Sequence, residues 1–474
     1  MTNKIINLKS KFFKHCNFEF KYCLGFRIFK LGFPRRSQGM YLPVILIASI
    51  LFIAFASAII TLSMSNVKIA NLHNKKITSM GIAEAGLNYY LWHLSHNNTD
   101  YCDGNPCSGS APYGPFLHDY KDESGTSLGT FEIYVTPPQS NGSVTTVKSV
   151  GKVNGKSPVR TIISTIGMPS FAKYTLMING KQLWVGPGEK IEGTVHVNGS
   201  GLYNQGEITG DASSTEKTYN GWFGSQPGVA GPGIFGGAKL YPVPPIDFNQ
   251  INVDILNIRN ATRDLGEGDY YDSSGSKGYH VVLKANQYEL WRVTKYDNSG
   301  YNITQENLLG THNYPDKGVI FVEDNLWVEG TIQNQKVTLV AADPEANGGQ
   351  KKRIIIPNLV KYTNYDGSDK IGLITQTDIL LTRNAPNNME IDAAMIAKEG
   401  EIRIDPYKYE HKGNMKVYGS MAHTTGLVWT YDYGGGLWSG YHTTQTIIDT
   451  HNVLNPPPKF PLTGTYSILS WREE

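Results

Sequence analysis

Residues 40–67 contain no charged side chain, and this apolar run constrains the fold of the whole chain. The run has 28 residues, whereas a membrane-spanning helix needs about 20. A cleaved secretory signal usually has an apolar core of only about 7–15 residues. We therefore predict a transmembrane helix over residues 41–66 rather than a buried core helix.

The charges on either side of the apolar run predict its orientation. Residues 1–39 carry nine Lys or Arg and one acid, a net charge of +8, and the remaining chain has 34 basic and 40 acidic residues. The more basic flank of a membrane helix stays in the cytoplasm. We expect a basic cytoplasmic leader over 1–39 and a body outside the membrane. The leader has no nucleic-acid motif, so no nucleic acid is expected as a partner.

The helical pattern continues past the membrane segment. In residues 67–95, apolar side chains recur at spacings close to i, i+3 and i+4, and no proline occurs between Val44 and Asn105. These features predict one helix over residues 40–95. Half of it would lie in the membrane and half would pack against a β-rich part of the chain.

Two motifs in this helix resemble type IV pilins. Ser37-Gln38-Gly39-Met40 is similar to the class III signal of type IV pilins and type II secretion pseudopilins, which a prepilin peptidase cuts after the glycine. The matching bond is Gly39–Met40. Residues 82–92, IAEAGLNYYLW, resemble the AEAG segment of PilX-like minor pilins. The resemblance implies that Glu84 and Gly86 serve helix assembly.

The resemblance also implies a structural, non-enzymatic subunit without a cofactor or metal. Major pilins carry Glu at the fifth position after the cut, and Val44 occupies that position here. In the family, that carboxylate is thought to meet the N-terminal amine of a neighbouring subunit. A buried charge is costly unless paired, so Val44 suits a tip subunit. The implied partners are other pilins or pseudopilins, a prepilin peptidase, the pilus assembly platform and the membrane.

The four cysteines fall into two pairs. Cys16 and Cys23 lie in the predicted cytoplasmic leader and should stay reduced. Cys102 and Cys107 lie outside, and the four residues between them, DGNP, have turn chemistry. We expect a small disulfide-closed loop. Zinc is the weaker alternative, since no second external cysteine pair is present.

The chain after the helix has strand-like alternation. Residues 96–168 predict hairpins and a small β-rich head. Residues 169–474 contain four rows of alternate apolar residues, each with one small residue. Period two places each row on one strand face, and the small residue suggests a tight bend or close stacking. The rows are Ile191-Gly193-Val195-Val197, Leu326-Val328-Gly330-Ile332, Met389-Ile391-Ala393-Met395 and Met415-Val417-Gly419-Met421.

These rows predict an α+β fold, with a long helix followed by a mainly β body. A parallel β-helix-like solenoid over 169–474 is our interpretation, and a β-sandwich with long loops is the alternative. The stretches 193–199 and 449–461 also resemble an uncharacterised β-rich domain found behind pilin-like N-termini. That resemblance implies a fold and no chemistry.

Few residues suggest a ligand site. Aromatic rings with polar tips suit a protein or carbohydrate surface, and such rings surround the glycines at 434–436. They suit equally well a glycine-rich loop held against the core. The candidate contact residues are Trp429, Tyr431, Tyr433, Trp438 and Tyr441.

The sequence does not bring any catalytic group together. Asp378, Asp392 and Asp405 could act as paired carboxylates on a β-helix, and His196 next to Asn198 reads as a strand-face histidine. We predict a minor pilin or pilus-associated protein of the cytoplasmic membrane and of an extracellular filament, with a large domain for adhesion. The alternatives are an uncleaved single-pass surface protein and a membrane-tethered polysaccharide-cleaving enzyme.

Overall fold

A long apolar helix opens the described chain, and a mostly β body follows it. The computed structural model describes residues 41–474 apart from 98–99, 139–143, 154–155, 222–223, 298–299, 346–350, 405–409, 425–426, 435–436 and 465. Helix α1 (Tyr41–His96) has 56 residues. It runs one residue past the predicted end at 95, where the Asn97 amide still donates to the His93 carbonyl at 3.0 Å.

Four antiparallel strands follow α1 and form a head sheet against its C-terminal half. Their alternation matches the predicted hairpins: buried and less buried side chains alternate along the second strand, because successive residues face opposite sides of a sheet. Phe131, Ile133 and Val135 of that strand pack with Ile82 and Leu87 of α1. The strands are β1 (Tyr113–Lys121), β2 (Ser127–Thr136), β3 (Val144–Val153) and β4 (Lys156–Gly167).

The head sheet has a fifth strand, which comes from the end of the chain. Residues Ser467–Glu473 pair antiparallel with β4, beginning with Ser467 opposite Gly167. The sequence predicts residues 467–474 as part of the β-rich domain, because strand pairing across some 300 residues leaves no local signal. The rest of that domain, the body (residues 169–461), is therefore inserted between two neighbouring strands of the head sheet.

The two chain segments that connect head and body are bonded to each other. Ser170 and Leu462 form an isolated antiparallel bridge. The Thr463 amide donates to the Pro169 carbonyl at 2.9 Å, and the Phe171 amide donates to the Pro461 carbonyl at 3.2 Å. A 3-10 turn (Phe171–Lys173) follows the outgoing segment, and helix α3 (His451–Leu454) precedes the returning one.

The first part of the body consists of short strands. They are β5 (Leu176–Asn179), β6 (Leu183–Val185), β7 (Glu189–Glu192), β8 (Val195–Asn198), β9 (Leu202–Asn204), β10 (Glu207–Ile208), β11 (Ala212–Ser214), β12 (Thr218–Gly221), β13 (Gly224–Pro227), β14 (Val229–Ala230), β15 (Ile234–Phe235) and β16 (Lys239–Leu240). Helix α2 (Gln250–Leu265) follows them.

The second part of the body contains longer strands. They are β17 (Asp269–Tyr271), β18 (Gly278–Leu283), β19 (Gln287–Tyr296), β20 (Ile303–Asn313), β21 (Val319–Val322), β22 (Leu326–Ile332), β23 (Lys336–Ala341), β24 (Ile354–Ile356), β25 (Val360–Tyr362), β26 (Lys370–Thr375), β27 (Ile379–Leu381), β28 (Met389–Ala397), β29 (Ile402–Ile404), β30 (His411–His423), β31 (Leu427–Val428), β32 (Thr430–Gly434) and β33 (Leu437–Ile447), and the head strand described above is β34 (Ser467–Glu473).

Parallel ladders organise the body. The first ladder runs β16-β11-β8-β5-β30-β28-β26-β23-β21-β17, with every neighbouring pair parallel. The second runs β15-β10-β7-β33-β30-β28-β25-β22. A third contains β18-β22-β24-β27-β29-β31. Strands that follow each other along the chain mostly belong to different ladders.

The chain enters the first ladder in its interior. Residues 176–240 supply the strands from β5 to the end at β16, and residues 269–423 supply those from the opposite end at β17 to β30. The two parts meet where Leu176 of β5 lies opposite Met421 of β30. Helix α2 joins the two ends, and its residues Ile251, Ile255 and Ile258 pack against one face of the ladder.

The four sequence rows contribute to the body core. Their larger apolar side chains are buried in a single cluster. The small residues of three rows adopt left-handed backbone, with φ of 132° at Gly193, 117° at Gly330 and 148° at Gly419. A Cβ on Gly419 would lie 2.0 Å from the Ala393 carbonyl oxygen. Both predicted reasons for a small residue, a bend and close stacking, are confirmed.

We predict that Gly419→Ala destabilises the body more than Gly180→Ala does. Both glycines have positive φ, 148° and 106°, so alanine at either should cost about 1–2 kcal/mol of backbone strain. A Cβ on Gly180 would meet no atom within 4 Å, whereas at Gly419 it collides with backbone. Urea unfolding followed by tryptophan fluorescence should show a further loss of about 1–3 kcal/mol for Gly419→Ala. Equal losses would contradict this explanation.

Candidate assembly surface

The N-terminal half of α1 exposes nearly all of its apolar side chains. Its most apolar window has a mean hydropathy of 2.7, and none of that window is buried. By length and composition, the helix could cross a membrane. The exposed large side chains are Leu42, Val44, Ile45, Leu46, Ile47, Ile50, Leu51, Phe52, Ile53, Phe55, Ile59, Ile60, Leu62, Met64, Val67 and Ile69.

Two of the predicted assembly residues lie on exposed parts of α1. The side chain of Val44 is 63% exposed, and Glu84 is also exposed. Val44 supplies apolar surface and no carboxylate. The predicted processing residues, Gly39 and Met40, lie outside the described residues.

The third assembly residue, Gly86, lies where α1 packs closely against the head sheet. A Cβ on Gly86 would lie 2.4 Å from Ser149 Oγ and 2.8 Å from Phe131 Cδ2. Ala83, one turn earlier, is fully buried. The small residues of the AEAG segment therefore let the helix backbone approach the sheet, while Glu84 faces away.

The sheet contributes a matching glycine that sequence reasoning missed. A Cβ on Gly151 in β3 would lie 2.2 Å from the Ser79 carbonyl oxygen and 2.5 Å from the Ala83 backbone nitrogen. The sequence analysis gave this glycine no role in helix packing. A glycine inside a strand pattern often marks a close backbone approach, and that signal could have identified Gly151.

The disulfide loop is held against the C-terminal end of α1. Cys102 and Cys107 are bridged. Asp103 in the loop accepts hydrogen bonds from Tyr89 Oη at 2.9 Å and from His118 Nε2 at 2.7 Å. Burial and the neighbouring Asp103 raise the pKa of Tyr89 to about 12. The loop therefore connects α1 to the edge strand β1.

Asp100 stabilises the same loop from within. Its carboxylate accepts the backbone N–H of Cys102 at 2.9 Å and of Gly104 at 2.7 Å. Burial opposes ionisation of this group, but these hydrogen bonds outweigh burial and lower the pKa of Asp100. His93 of α1 lies 3.2 Å from the same carboxylate.

Two of the candidate aromatic residues lie in the core, the alternative that the sequence left open beside a surface contact. Trp429 is 2% exposed and Tyr441 is fully buried, and the Tyr441 hydroxyl donates to the Pro386 carbonyl at 2.9 Å. Tyr431 is half-buried against the body core. The apolar bodies of these rings fill the core while the Tyr441 hydroxyl finds a polar partner inside it.

Trp438, like Tyr431, is partly exposed. It is half-buried, and its ring stacks on His411 with centroids 4.1 Å apart. Tyr433 lies in β32, and the position of its side chain is outside the described part of the structure.

The candidate carboxylates do not form a pair. Asp378 precedes β27 of the third ladder and accepts the Glu401 amide at 2.9 Å. Asp392 lies in β28, between the first and second ladders, and is fully buried. Its Oδ2 accepts the Tyr362 amide at 2.9 Å and Tyr365 Oη at 2.8 Å. Asp405 lies outside the described residues, and the described part of the chain contains no cluster of His, Cys, Asp and Glu suited to a metal.

His196 is a structural residue of the first ladder. It is 2% exposed, and its ring nitrogens lie 2.9 Å from Ser213 Oγ and 2.8 Å from Asn198 Oδ1. Burial lowers the pKa of this imidazole. Asn198 in turn bonds the Ile246 backbone on the way to α2, so the network fastens that connection to the ladder.

Comparison with known proteins gives few matches. No family model matches the sequence, and no curated protein matches it. Among solved structures, the chain is similar to the competence-associated pilin ComZ from Thermus thermophilus. The identity is 12% and the TM-score 0.31, over 84% of this chain and 97% of that chain. A TM-score of that size does not establish a shared fold.

We predict that Gly86→Val loosens the head, whereas Gly81→Val in the same helix does not. Both changes alter helix propensity equally, but a Cβ on Gly81 meets no atom within 4 Å. Overpacking at Gly86 should cost about 1–3 kcal/mol. Hydrogen exchange measured by mass spectrometry should show faster exchange in β2 and β3 for Gly86→Val alone. Unchanged protection in that variant would contradict the close packing.

We predict that Asp392 makes the body less stable as pH rises from about 4 to about 6. Burial raises the pKa of Asp392 from 3.8 to about 6, so the folded state holds its proton in a range where the unfolded state has lost it. Its contribution to stability is complete below about pH 4 and lost as pH passes 6. Asp392→Asn should remove up to about 3 kcal/mol of this pH dependence, measured by urea unfolding. Identical pH profiles would refute it.

Proposed function

We propose that this protein is a minor pilin, or a pilus-associated protein, of a type IV pilus-like filament or pseudopilus. One observation carries the proposal. A single helix exposes an apolar half and packs its other half, through small residues, against a small antiparallel sheet. A pilin needs both parts, one for the membrane and the filament interior and one to carry a head.

The exposed apolar half of α1 has a role both before and after filament assembly. Apolar surface of this extent is unstable in water, so it must be covered. A bilayer covers it before assembly, and the helices of other pilins cover it in the filament. The basic leader lies inside, the body lies outside, and the protein becomes extracellular once assembled.

Val44 supports a position at the filament tip. An apolar side chain there makes no demand for a cationic partner, and a subunit at the tip has no neighbour above it to supply one. Maturation requires a prepilin peptidase acting between Gly39 and Met40, and assembly requires the platform of the pilus machinery. Glu84, exposed on α1, is available for contacts with other pilins.

The body is the part that meets the surroundings. We propose that it is a parallel β-helix-like solenoid, supported by its parallel ladders and by the glycines at the bends between them. A β-sandwich pairs its strands mainly antiparallel. The body serves adhesion to a protein or carbohydrate surface, with Trp438 as a candidate contact, and it is not an enzyme.

The alternatives make different demands. An uncleaved single-pass surface protein would use the same helix as a plain anchor. A polysaccharide-cleaving enzyme would need two carboxylates flanking one bond. Asp392 lies in β28, and Asp378 lies just before β27. Each carboxylate accepts a hydrogen bond from a backbone amide, that of Tyr362 for Asp392 and that of Glu401 for Asp378. These bonds favour a structural role for both residues.

The N-terminus of the protein extracted from its native membrane tests the proposal. We expect mass spectrometry to find a chain that starts at Met40, with an N-methylated amine. Gly39→Arg should retain the leader and be absent from sheared filaments, while Gly81→Arg should still be cleaved. A native chain that keeps residues 1–39 would overturn the pilin mechanism and leave the anchored surface protein.

A further inference from the structure

A cavity of about 340 Å³ lies beside the crossing from head to body. One wall is helix α2, and the other is the returning segment 459–464, with Met168 of the outgoing segment between them. The volume is within the range of small-ligand sites. The cavity belongs to no part of the proposed assembly surface.

The floor of the cavity is apolar and its rim is polar. Ile258 and Phe460 are almost fully buried, and Met168 and Leu462 are half-buried. Two charged side chains reach the lining, Asp254 from α2 and Lys459 from the returning segment. An elongated group with an aliphatic part and one charged end fits such a lining.

The charged residues of the lining indicate whether the charged end of the bound group is a cation or an anion. Lys459 Nζ lies 2.9 Å from Glu267 Oε2, so this ammonium is already neutralised. Asp254 has no such partner among the described residues: its hydrogen bond comes from the side-chain amide of Gln250, at a long 3.4 Å. Burial outweighs that bond and raises the pKa of Asp254. A half-buried carboxylate without a cation is a costly arrangement that a bound cation would relieve.

We propose that this cavity binds an alkylammonium group, with the ammonium on Asp254 and the aliphatic chain on Ile258, Phe460 and Leu462. A lysine side chain of a partner protein and a free diamine both present this group. An alkyl carboxylate of the same length lacks the charge that Asp254 requires.

The test uses the full-length protein in detergent micelles and n-butylammonium as the probe. Ligand-dependent thermal shifts should give saturable stabilisation, and n-butyrate at equal ionic strength should give none. Asp254→Asn should weaken binding about tenfold, the order expected for a hydrogen bond between charged groups. Asp264→Asn, on the same helix and paired with Arg263, is the matched control and should leave binding unchanged.

A second variant guards against a misfolded Asp254→Asn protein. Lys459→Gln leaves Glu267 without its cation, makes the cavity more negative and should tighten n-butylammonium binding. Equal stabilisation by n-butyrate, no loss in Asp254→Asn, or weaker binding in Lys459→Gln would each overturn the proposal.

Two further probes distinguish a protein lysine from a free diamine as the natural source of the alkylammonium group. Nα-acetyl-lysine methylamide should bind at least as tightly as n-butylammonium if the natural ligand is a protein lysine, and 1,4-diaminobutane should bind more tightly than either if it is a free diamine. Because none of these measurements involves processing at Gly39, the inference can fail or succeed independently of the pilin function.

Discussion

The structure depends on the close approach of helix α1 to strand β3. At Gly151 the sheet backbone contacts the helix backbone near Ala83, and a single Cβ would close the gap. The described side chains of α1 before this point are almost all exposed, so the attachment of α1 to the rest of the chain begins here. Backbone contact of this kind allows only small residues on both sides, because interiors are packed too densely to accommodate even one extra methyl group. Packing thus accounts for the small residues Ala83 and Gly86 of the AEAG segment.

The body is organised by parallel ladders of strands. Its apolar rows lie one above another and share one core, and the bends between ladders fall at residues such as Gly419 and Gly330. The chain starts in the interior of the first ladder, builds to one end, and returns through α2 to the other. Arg259 of α2 is 2% exposed and bonds Glu323 and Glu345, which fastens this return to the ladder.

Local sequence patterns predicted the long helix and core strands. They did not predict the contacts between distant parts of the chain. An uncharged run and an i, i+3, i+4 stripe predicted the C-terminal end of α1 to within one residue, and period two with a small residue identified core strands. The tryptophan and tyrosines near residue 435 were ambiguous, because an amphipathic ring has the same sequence signature in a core as on a surface. The pairing of β34 with β4 and the cavity between α2 and residues 459–464 join segments roughly 200 to 300 residues apart, for which composition and periodicity contain no information.

The insertion of the body between β4 and β34 has a mechanical consequence. Both strands leave the head sheet at the same end, where Ser467 lies opposite Gly167. A force on the body therefore acts on two adjacent strands, β4 and β34, at once. A backbone cut in the returning segment would leave the body covalently attached through β4, whereas a cut in the outgoing segment would leave it held by the pairing of β34 with β4. The body is thus joined to the head sheet by two chain segments that lead to neighbouring strands.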